Sequence, residues 1–436
     1  MKSQDRIVIT GAGIICSLGQ HIQNIWEDIL QGKAISQPIP EEWSTYSDFK
    51  SQFWAPLPKR DYSYYGLGRS DKLRMDEVTM LSIGASYQAL ETANLSFSPR
   101  YDKANRFIIE DYAPHRCGIY FGTGTGGINT TLSAHTTRLL KQKAIENDYN
   151  IPFEQRYNPL TVSMLMPNAA AAATGIRFGA EGPNRTISLA CASGTAAIGE
   201  AFQAIKRGDI DLALSGGMEF LSDPYGSIFR SYDITGALTR GFNQADACNR
   251  PFDQHRNGFL FGEGGAGVLV LERESHAKAR NANIWAELCG FEETFDCHNL
   301  MTIEPSGQQI KTMIQKSISN CGFTNNDFTY INTHGTGTTI NDEVELNIIE
   351  NIFGQKPLIN STKGFIGHTI GASGAIEAAI TALSFRDGLV HPCNNLVNPI
   401  RDLNFPQQSI KKPIGPAISQ SFAFGGHNCC LILNDY

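Results

Sequence analysis

The sequence predicts an α/β protein of alternating strands and helices, on three observations. Short β-branched or apolar runs are followed by segments with helical apolar spacing in both halves of the chain. The 42 glycines, well above the usual ~7% share, gather at the points where such runs end and helical patterns begin, as at the strand-to-helix junctions of α/β proteins. With 41% hydrophobic and 18% charged residues over 436 positions, the chain can bury large cores and lacks the signature of disorder.

Taken in order, a first strand covers 7–10 and runs into Gly11-Ala12-Gly13, and a helix follows over 75–93. A strand over 117–121 enters the Gly-rich stretch 122–127. A strand over 186–189 leads to a helix over 195–207, which Gly208 closes as a C-cap. Strands are expected over 212–215 and 266–271, then over 330–332, 358–360 and 429–433, with helices over 342–353 and 375–386. The stretches 32–70 and 95–115 lack periodicity and read as surface excursions or partner-contacting segments.

Charge and composition exclude several functions. A net charge of −7 and a pI near 5.8 argue against general nucleic-acid binding, which rests on Lys and Arg neutralising phosphates. Apolar runs such as 268–271 fall far short of the ~20 residues that span a bilayer, so no membrane partner is expected. The first ten residues hold no signal-peptide pattern, which points to a cytoplasmic location with reduced thiols. The ten cysteines include no Cys-x-x-Cys pair, and no His-x3-His motif or nearby ligating carboxylate suggests a metal. None of the glycine clusters ends like a Walker A loop, and Gly11-Ala12-Gly13 lacks the later glycine and acidic residue of a dinucleotide site.

Four segments carry candidate chemistry. In 186–195 a strand ends at Cys191 and opens into a helix, where the helix dipole would lower the thiol pKa and the backbone N–H of Cys191 is free to bind an oxyanion. A buried structural thiol is the competing reading, and this segment alone does not separate the two. A second strand delivers His334 into the turn Gly335-Thr336-Gly337-Thr338, and a third delivers Lys363 and His368. Neutral imidazoles beside small residues can donate hydrogen bonds to a developing enolate, against the alternative of two satisfied structural histidines. Ser421-Phe422-Ala423-Phe424-Gly425-Gly426 could bring a second oxyanion donor or simply form a tight turn.

Together these segments resemble the β-ketoacyl-acyl-carrier-protein synthases, of the synthase I/II type with a Cys-His-His triad. The likeness runs from Arg6-Ile7-Val8-Ile9-Thr10-Gly11 to Gly425-Gly426-His427-Asn428 and includes Asn249-Arg250-Pro251-Phe252-Asp253, Asn257-Gly258-Phe259 and Gly262-Glu263-Gly264. The resemblance implies a thiolase-like duplicated βαβαβ fold in five layers, α-β-α-β-α, with an N-terminal half over 1–260 and a C-terminal half over 261–436. It implies a β-ketoacyl-ACP synthase catalysing decarboxylative Claisen condensation of an acyl thioester with malonyl-ACP in fatty-acid biosynthesis. The implied alternative is the catalytic ketosynthase subunit of a type II polyketide or polyene pathway, and a third reading is a non-catalytic partner subunit.

Carried over by residue, Cys191 takes the acyl group, while His334 and His368 hold the malonyl thioester and stabilise its enolate. Lys363 is the electrostatic partner of that site, and Glu345 is expected to pair with Lys363. The N–H groups of Cys191 and Phe424 form the oxyanion hole, and Phe424, with Phe422, gates the pocket beside Thr336 and Thr338. No cofactor is implied beyond the phosphopantetheine of an acyl carrier protein. The implied assembly is a homodimer, or a heterodimer with a homologous chain-length-factor-like subunit.

Three positions depart from the family's usual pattern. Gly337 stands where elongation synthases commonly carry Ser, a form closer to polyketide ketosynthases. Thr125 replaces a bulky apolar residue that limits the acyl pocket and is expected to admit longer or more oxygenated chains. Gly236 replaces a basic residue that contacts the carrier, leaving Arg69, Lys72 and Arg74 as the expected carrier-docking patch.

Overall fold

A computed structural model describes residues 5–45, 47–100, 106–146 and 158–436. The first half of the fold holds strands β1 (Ile7–Ile15), β2 (Cys117–Gly122), β3 (Asn184–Ile187), β4 (Leu212–Phe220) and β5 (Gly264–Arg273). Among its helices are α1 (Glu77–Thr92), α2 (Ala169–Phe178) and α3 (Ser193–Arg207). The second half holds β6 (Ala286–Phe295), β7 (Tyr330–Asn332), β8 (Leu358–Asn360), β9 (Ala417–Ala423) and β10 (His427–Asn434), with α4 (Gln308–Asn320), α5 (Thr339–Phe353) and α6 (Ser373–Asp387).

The duplication lies in the strand order. Hydrogen-bonded neighbours run β1-β5-β4-β2-β3 in the first half and β6-β10-β9-β7-β8 in the second, the same permutation of first, fifth, fourth, second and third. Pairings correspond as well: the two outer joints of each half are parallel and the others antiparallel. A short antiparallel contact of Val8 and Ile9 with Glu287 and Ala286 joins the halves into ten strands. On this order the repeat closes at Arg273 and restarts at Ala286, not at the expected 260/261. Strand β5 pairs with both β1 and β4 and therefore belongs to the first half.

Five layers follow from three apolar cores. Leu269 and Leu271 of β5 face a central core with Ile198 and Phe202 of α3 and Ile376 and Ile380 of α6. Val268 and Val270, on the opposite face, join Leu81 and Ala85 of α1 and Phe178 of α2. The outer face of the second half buries Ile310 and Ile314 of α4 and Ile349 of α5 against Ile331, Ile359 and Ile432. The sequence of β5 is therefore a continuous apolar run because the strand is covered on both sides. Helix α6 is buried along nearly its whole length, so its polar residues Ser373, Glu377, Thr381 and Ser384 face the interior and not solvent.

The predicted elements are present with ends shifted by a few residues. Strands β6 and β9 and helices α2 and α4 were not among the sequence expectations. Strand β9, Ala-Ile-Ser-Gln-Ser-Phe-Ala, is buried but places Ser and Gln inside, which breaks the apolar run. The 32–70 stretch, expected to be irregular, contains the short strand Phe53–Ala55, which pairs with Phe261–Gly262, and a 3-10 turn over Glu41–Thr45 that buries Trp43. Among the described residues no helix is long and apolar enough to cross a membrane.

Candidate active site

The C-terminal ends of parallel strands deliver the chemistry, as loops outside such ends commonly do in α/β sheets. Strand β3 leads to Cys191, β7 to His334, β8 to Lys363 and His368, and β9 to Phe424. Cys191 sits in a single 3-10 turn, Ala190–Ala192, entered through Ala190 at φ +46°. Ser193 Oγ accepts from the Leu189 N–H at 2.8 Å and donates to the Ala190 carbonyl at 2.7 Å, bracing the turn before α3 begins.

The same device recurs in the second half. Ile370, at φ +49°, opens a 3-10 turn over Ile370–Ala372 before α6, and Ser373 Oγ accepts from the Thr369 N–H at 3.0 Å. Ala190-Cys191-Ala192-Ser193-Gly194 thus matches Ile370-Gly371-Ala372-Ser373-Gly374, with Gly371 in the place of the cysteine. A Cβ on Gly371 would fall 2.5 Å from Glu219 Oε2 and 2.6 Å from the Gly124 nitrogen, so a side chain has no room there.

Cys191 Sγ lies 3.1 Å from His368 Nε2. His368 Nδ1 accepts from the Ile370 N–H at 3.3 Å and faces Ser373 Oγ at 2.9 Å, which assigns the ring proton to Nε2, toward the sulfur. His334 stands edge-on to His368, ring centroids 5.5 Å apart. Its Nδ1 faces Lys363 Nζ at 3.2 Å, and an ammonium only donates, so His334 also carries its proton on Nε2. Burial, joined by the positive charge of Lys363, holds both imidazoles well below the usual histidine range, and they are neutral donors.

Lys363 uses three donors on three acceptors: His334 Nδ1, the His334 carbonyl at 2.6 Å and Glu377 Oε1 at 2.5 Å. Its carboxylate partner is therefore Glu377, not the expected Glu345. Glu345, in the second turn of α5, instead accepts from the N–H groups of His334 and Gly335, both at 2.7 Å, and from Gln420 at 2.8 Å. Those bonds brace the His334 turn and occupy both carboxylate oxygens. Burial raises both carboxyls to about 7. Glu377 lies inside α6, with no motif beside it, and the Glu345 segment looked like the acidic match.

The thiol also departs from expectation. Burial pushes Cys191 up to about 11, against the opposing pull of Lys363 and of the N–H groups of Phe424 and Cys191 itself. Desolvation outweighs these opposing contacts, so the resting group is a thiol. The two N–H groups that bond the sulfur are those expected to form the oxyanion hole.

A cavity of about 360 Å³ reaches Cys191, His334 and His368, with Thr336, Thr338, Phe422 and Phe424 on its walls. The hydroxyls of Thr336 and Thr338 are 2.9 Å apart, and the Phe422 ring packs on His334 at 5.6 Å. Gly236 is exposed at the rim. Gly337 takes φ +82°, so the backbone itself favours glycine there. Thr125 does not line this cavity. Its hydroxyl and N–H donate to buried Glu219 at 2.6 and 3.1 Å, and that carboxylate also accepts from Gly124 and Gly371. The Thr125 hydroxyl proton is thereby engaged with Glu219. Arg69 and Lys72 are exposed at the two ends of the short helix Arg69–Lys72, and Arg74 is exposed just beyond it.

A buried cysteine at a strand-to-helix elbow, two neutral histidines donating toward one cavity and a duplicated five-layered sheet define a thiolase-like acyltransferase. Residues 4–277 match the family model for the N-terminal domain of β-ketoacyl synthase and residues 285–397 that for its C-terminal domain, so the chain belongs to the β-ketoacyl synthase family. It is 33% identical over 443 aligned positions, covering all of both chains, to 3-oxoacyl-[acyl-carrier-protein] synthase 2 of Staphylococcus aureus (strain N315). The protein of that name from Synechocystis sp. is 32% identical over 437 positions, covering 99% of this chain and 98% of the other.

Among solved structures, a type II PKS ketosynthase in complex with its acyl-carrier protein and bound to the hexaketide superposes with a TM-score of 0.84 at 26% identity, over all of both chains. The ishigamide ketosynthase/chain length factor gives 0.83 at 25% identity, again over all of both chains. A β-ketoacyl synthase from Burkholderia phymatum STM815 gives 0.84 at 28%, covering 99% of this chain and all of the other. The chain is a β-ketoacyl synthase, an acyltransferase that forms carbon–carbon bonds by condensation.

Proposed function

We propose that the chain condenses an acyl group held on Cys191 with malonyl-ACP, releasing carbon dioxide and β-ketoacyl-ACP, in fatty-acid biosynthesis. The observation that carries this reading is the approach of His368 Nε2 to Cys191 Sγ at 3.1 Å, beside a second neutral histidine. In the first step Cys191 Sγ bonds the acyl carbon, the carbon–sulfur bond to phosphopantetheine breaks, and the thiol proton ends on the departing pantetheine sulfur. The N–H groups of Cys191 and Phe424 take the oxyanion.

In the second step the malonyl carbon–carboxylate bond breaks, and its electron pair becomes an enolate. The thioester oxygen accepts from the Nε2–H groups of His334 and His368. No strong base is needed, because loss of carbon dioxide supplies the carbanion. The enolate carbon then attacks the acyl carbon, Cys191 leaves as thiolate, and a proton from solvent restores the thiol. Lys363, fixed by Glu377, keeps His334 Nδ1 occupied so that its proton stays on the cavity side. Phe424 and Phe422 gate entry beside Thr336 and Thr338, and Arg69, Lys72 and Arg74 attract an acidic carrier protein.

A second reading gives the same chemistry to a type II polyketide or polyene pathway, beside a chain-length-factor-like partner. Likeness to a ketosynthase bound to a hexaketide and to a ketosynthase/chain length factor favours it. Gly337 lends it less support, because the left-handed backbone accounts for that residue. In the first reading the protein is a homodimer, in the second a heterodimer. A non-catalytic subunit is disfavoured by the presence of Cys191.

The test is intact-mass detection of an acyl adduct with product analysis on malonyl-ACP. Cys191→Ala is expected to abolish the adduct. His334→Ala and His368→Ala are expected to lower condensation by on the order of 10²-fold or more while the adduct survives in part. An unchanged condensation rate in Cys191→Ala would refute the assignment, and repeated condensation only when a homologous partner is co-purified would favour the second reading.

A further inference from the structure

Leu221, Ile228, Phe229 and Phe261 do not line the cavity that reaches Cys191, although all four share one contiguous buried apolar cluster with it. From the cavity wall at Phe259 inward, rings pack on one another in series. Phe259 meets His368 edge-on at 5.0 Å, and Tyr232 packs on Phe259 at 6.4 Å and on Phe261 at 5.2 Å. Phe261 packs on Phe229 at 5.3 Å, Phe229 on Trp43 at 5.7 Å, and Trp43 on Trp54 at 4.9 Å.

The far end of this series is anchored. Trp43 lies against Gly226, where a Cβ would come within 2.5 Å of the indole on a backbone at φ +70°. Gly226 caps the helix Ser227–Asp233, which carries Ile228, Phe229 and Tyr232. The buried carboxylate of Asp233 accepts from the N–H groups of Lys50 at 3.0 Å and Ser51 at 2.9 Å, and pairs with Arg230 at 2.8 Å. The stretch around Trp43 is thereby clamped to the helix that faces the cysteine.

We infer that this ring stack is the closed end of the acyl site, and that Trp43, by backing Phe229, limits the length of chain Cys191 accepts. The inference rests on Cys191 as the acyl carrier. A dry apolar pocket with room to spare favours each added methylene about fourfold. A close-packed one penalises it, because the added carbon must push rings from their rotamers. The chain therefore prefers short acyl groups, and Trp43 is a specificity-determining residue that never touches the reacting atoms.

The full-length protein is given acetyl-, hexanoyl- and dodecanoyl-pantetheine, and the rate of adduct formation on Cys191 is read by intact-mass spectrometry. The dodecanoyl adduct is expected to form on the order of tenfold more slowly than the hexanoyl adduct. Trp43→Ala and Phe229→Ala raise the dodecanoyl-to-acetyl ratio by a similar factor, whereas Trp43→Phe, which keeps a ring, restores the wild-type ratio. A ratio taken within one preparation cancels general loss of folded protein, and Phe229→Leu supplies a milder variant. Equal rates for the three donors in the wild type, or a ratio unmoved in Trp43→Ala and both Phe229 variants, would overturn the inference alone. The chain would then leave past Ile128 and Leu132, the other edge of the cluster. No adduct from any donor would overturn the role of Cys191 and the inference with it.

Discussion

Lys363 and Glu377 show how much of the site depends on pairs remote in sequence. Both are buried, and their 2.5 Å contact leaves each as the main compensation for the other. Removing one partner of such a pair strands a buried charge. Glu377→Gln is expected to cost roughly 3–5 kcal/mol in chemical unfolding, and the double change Lys363→Met with Glu377→Leu appreciably less. If the double variant is no more stable than Glu377→Gln, the pairing is not what matters. The histidines give a pH prediction with a definite sign. Their pKa values are depressed, so the neutral form persists as pH falls through the range where an ordinary imidazole, near 6.5, takes up a proton. Nitrogen NMR of the resting protein at about pH 6 should therefore show His334 and His368 neutral with the proton on Nε2. A charged signal from either ring at that pH would contradict the geometry.

At the scale of elements, the two elbows explain why one half carries the nucleophile and the other only its support. Both use a residue at positive φ, a 3-10 turn and a serine cap. They differ in the space behind the turn, where Glu219 accepts from Gly371 in the second elbow and from Gly124 and Thr125 in the loop after β2. Gly371→Ala should push against that carboxylate and cost about 1–3 kcal/mol, read as a lowered melting temperature. An unchanged melting temperature would mean that the Glu219 network yields freely. The sequence exposed the first elbow as a strand that ends at Cys191 and opens into a helix, and left the second unmarked. Glu219 itself carried no signal, since a lone acid at the end of an apolar strand reads equally well as a surface residue.

In the whole molecule the duplication turns short local signals into one site. Strands β7, β8 and β9 are three to seven residues long, yet their aligned ends bring His334, His368 and Phe424 to one cavity and Lys363 behind His334. The first half supplies Cys191 from the opposite side through α3, which packs against α6 so closely that a Cβ on Gly194 would lie 2.9 Å from Ala375. By itself the sequence determined the fold class and most strands and helices, because apolar period and glycine placement are local properties of the chain, and its short motifs singled out Cys191, His334, Lys363 and His368 as candidates through the family they resemble. The tertiary structure decided which acid pairs with Lys363, that burial raises the Cys191 thiol, that Thr125 is turned to Glu219, and that Trp43 packs on Phe229. Each of these depends on burial and on contacts between residues far apart in the chain, and desolvation and packing are set by what surrounds a group, which no single stretch of sequence records.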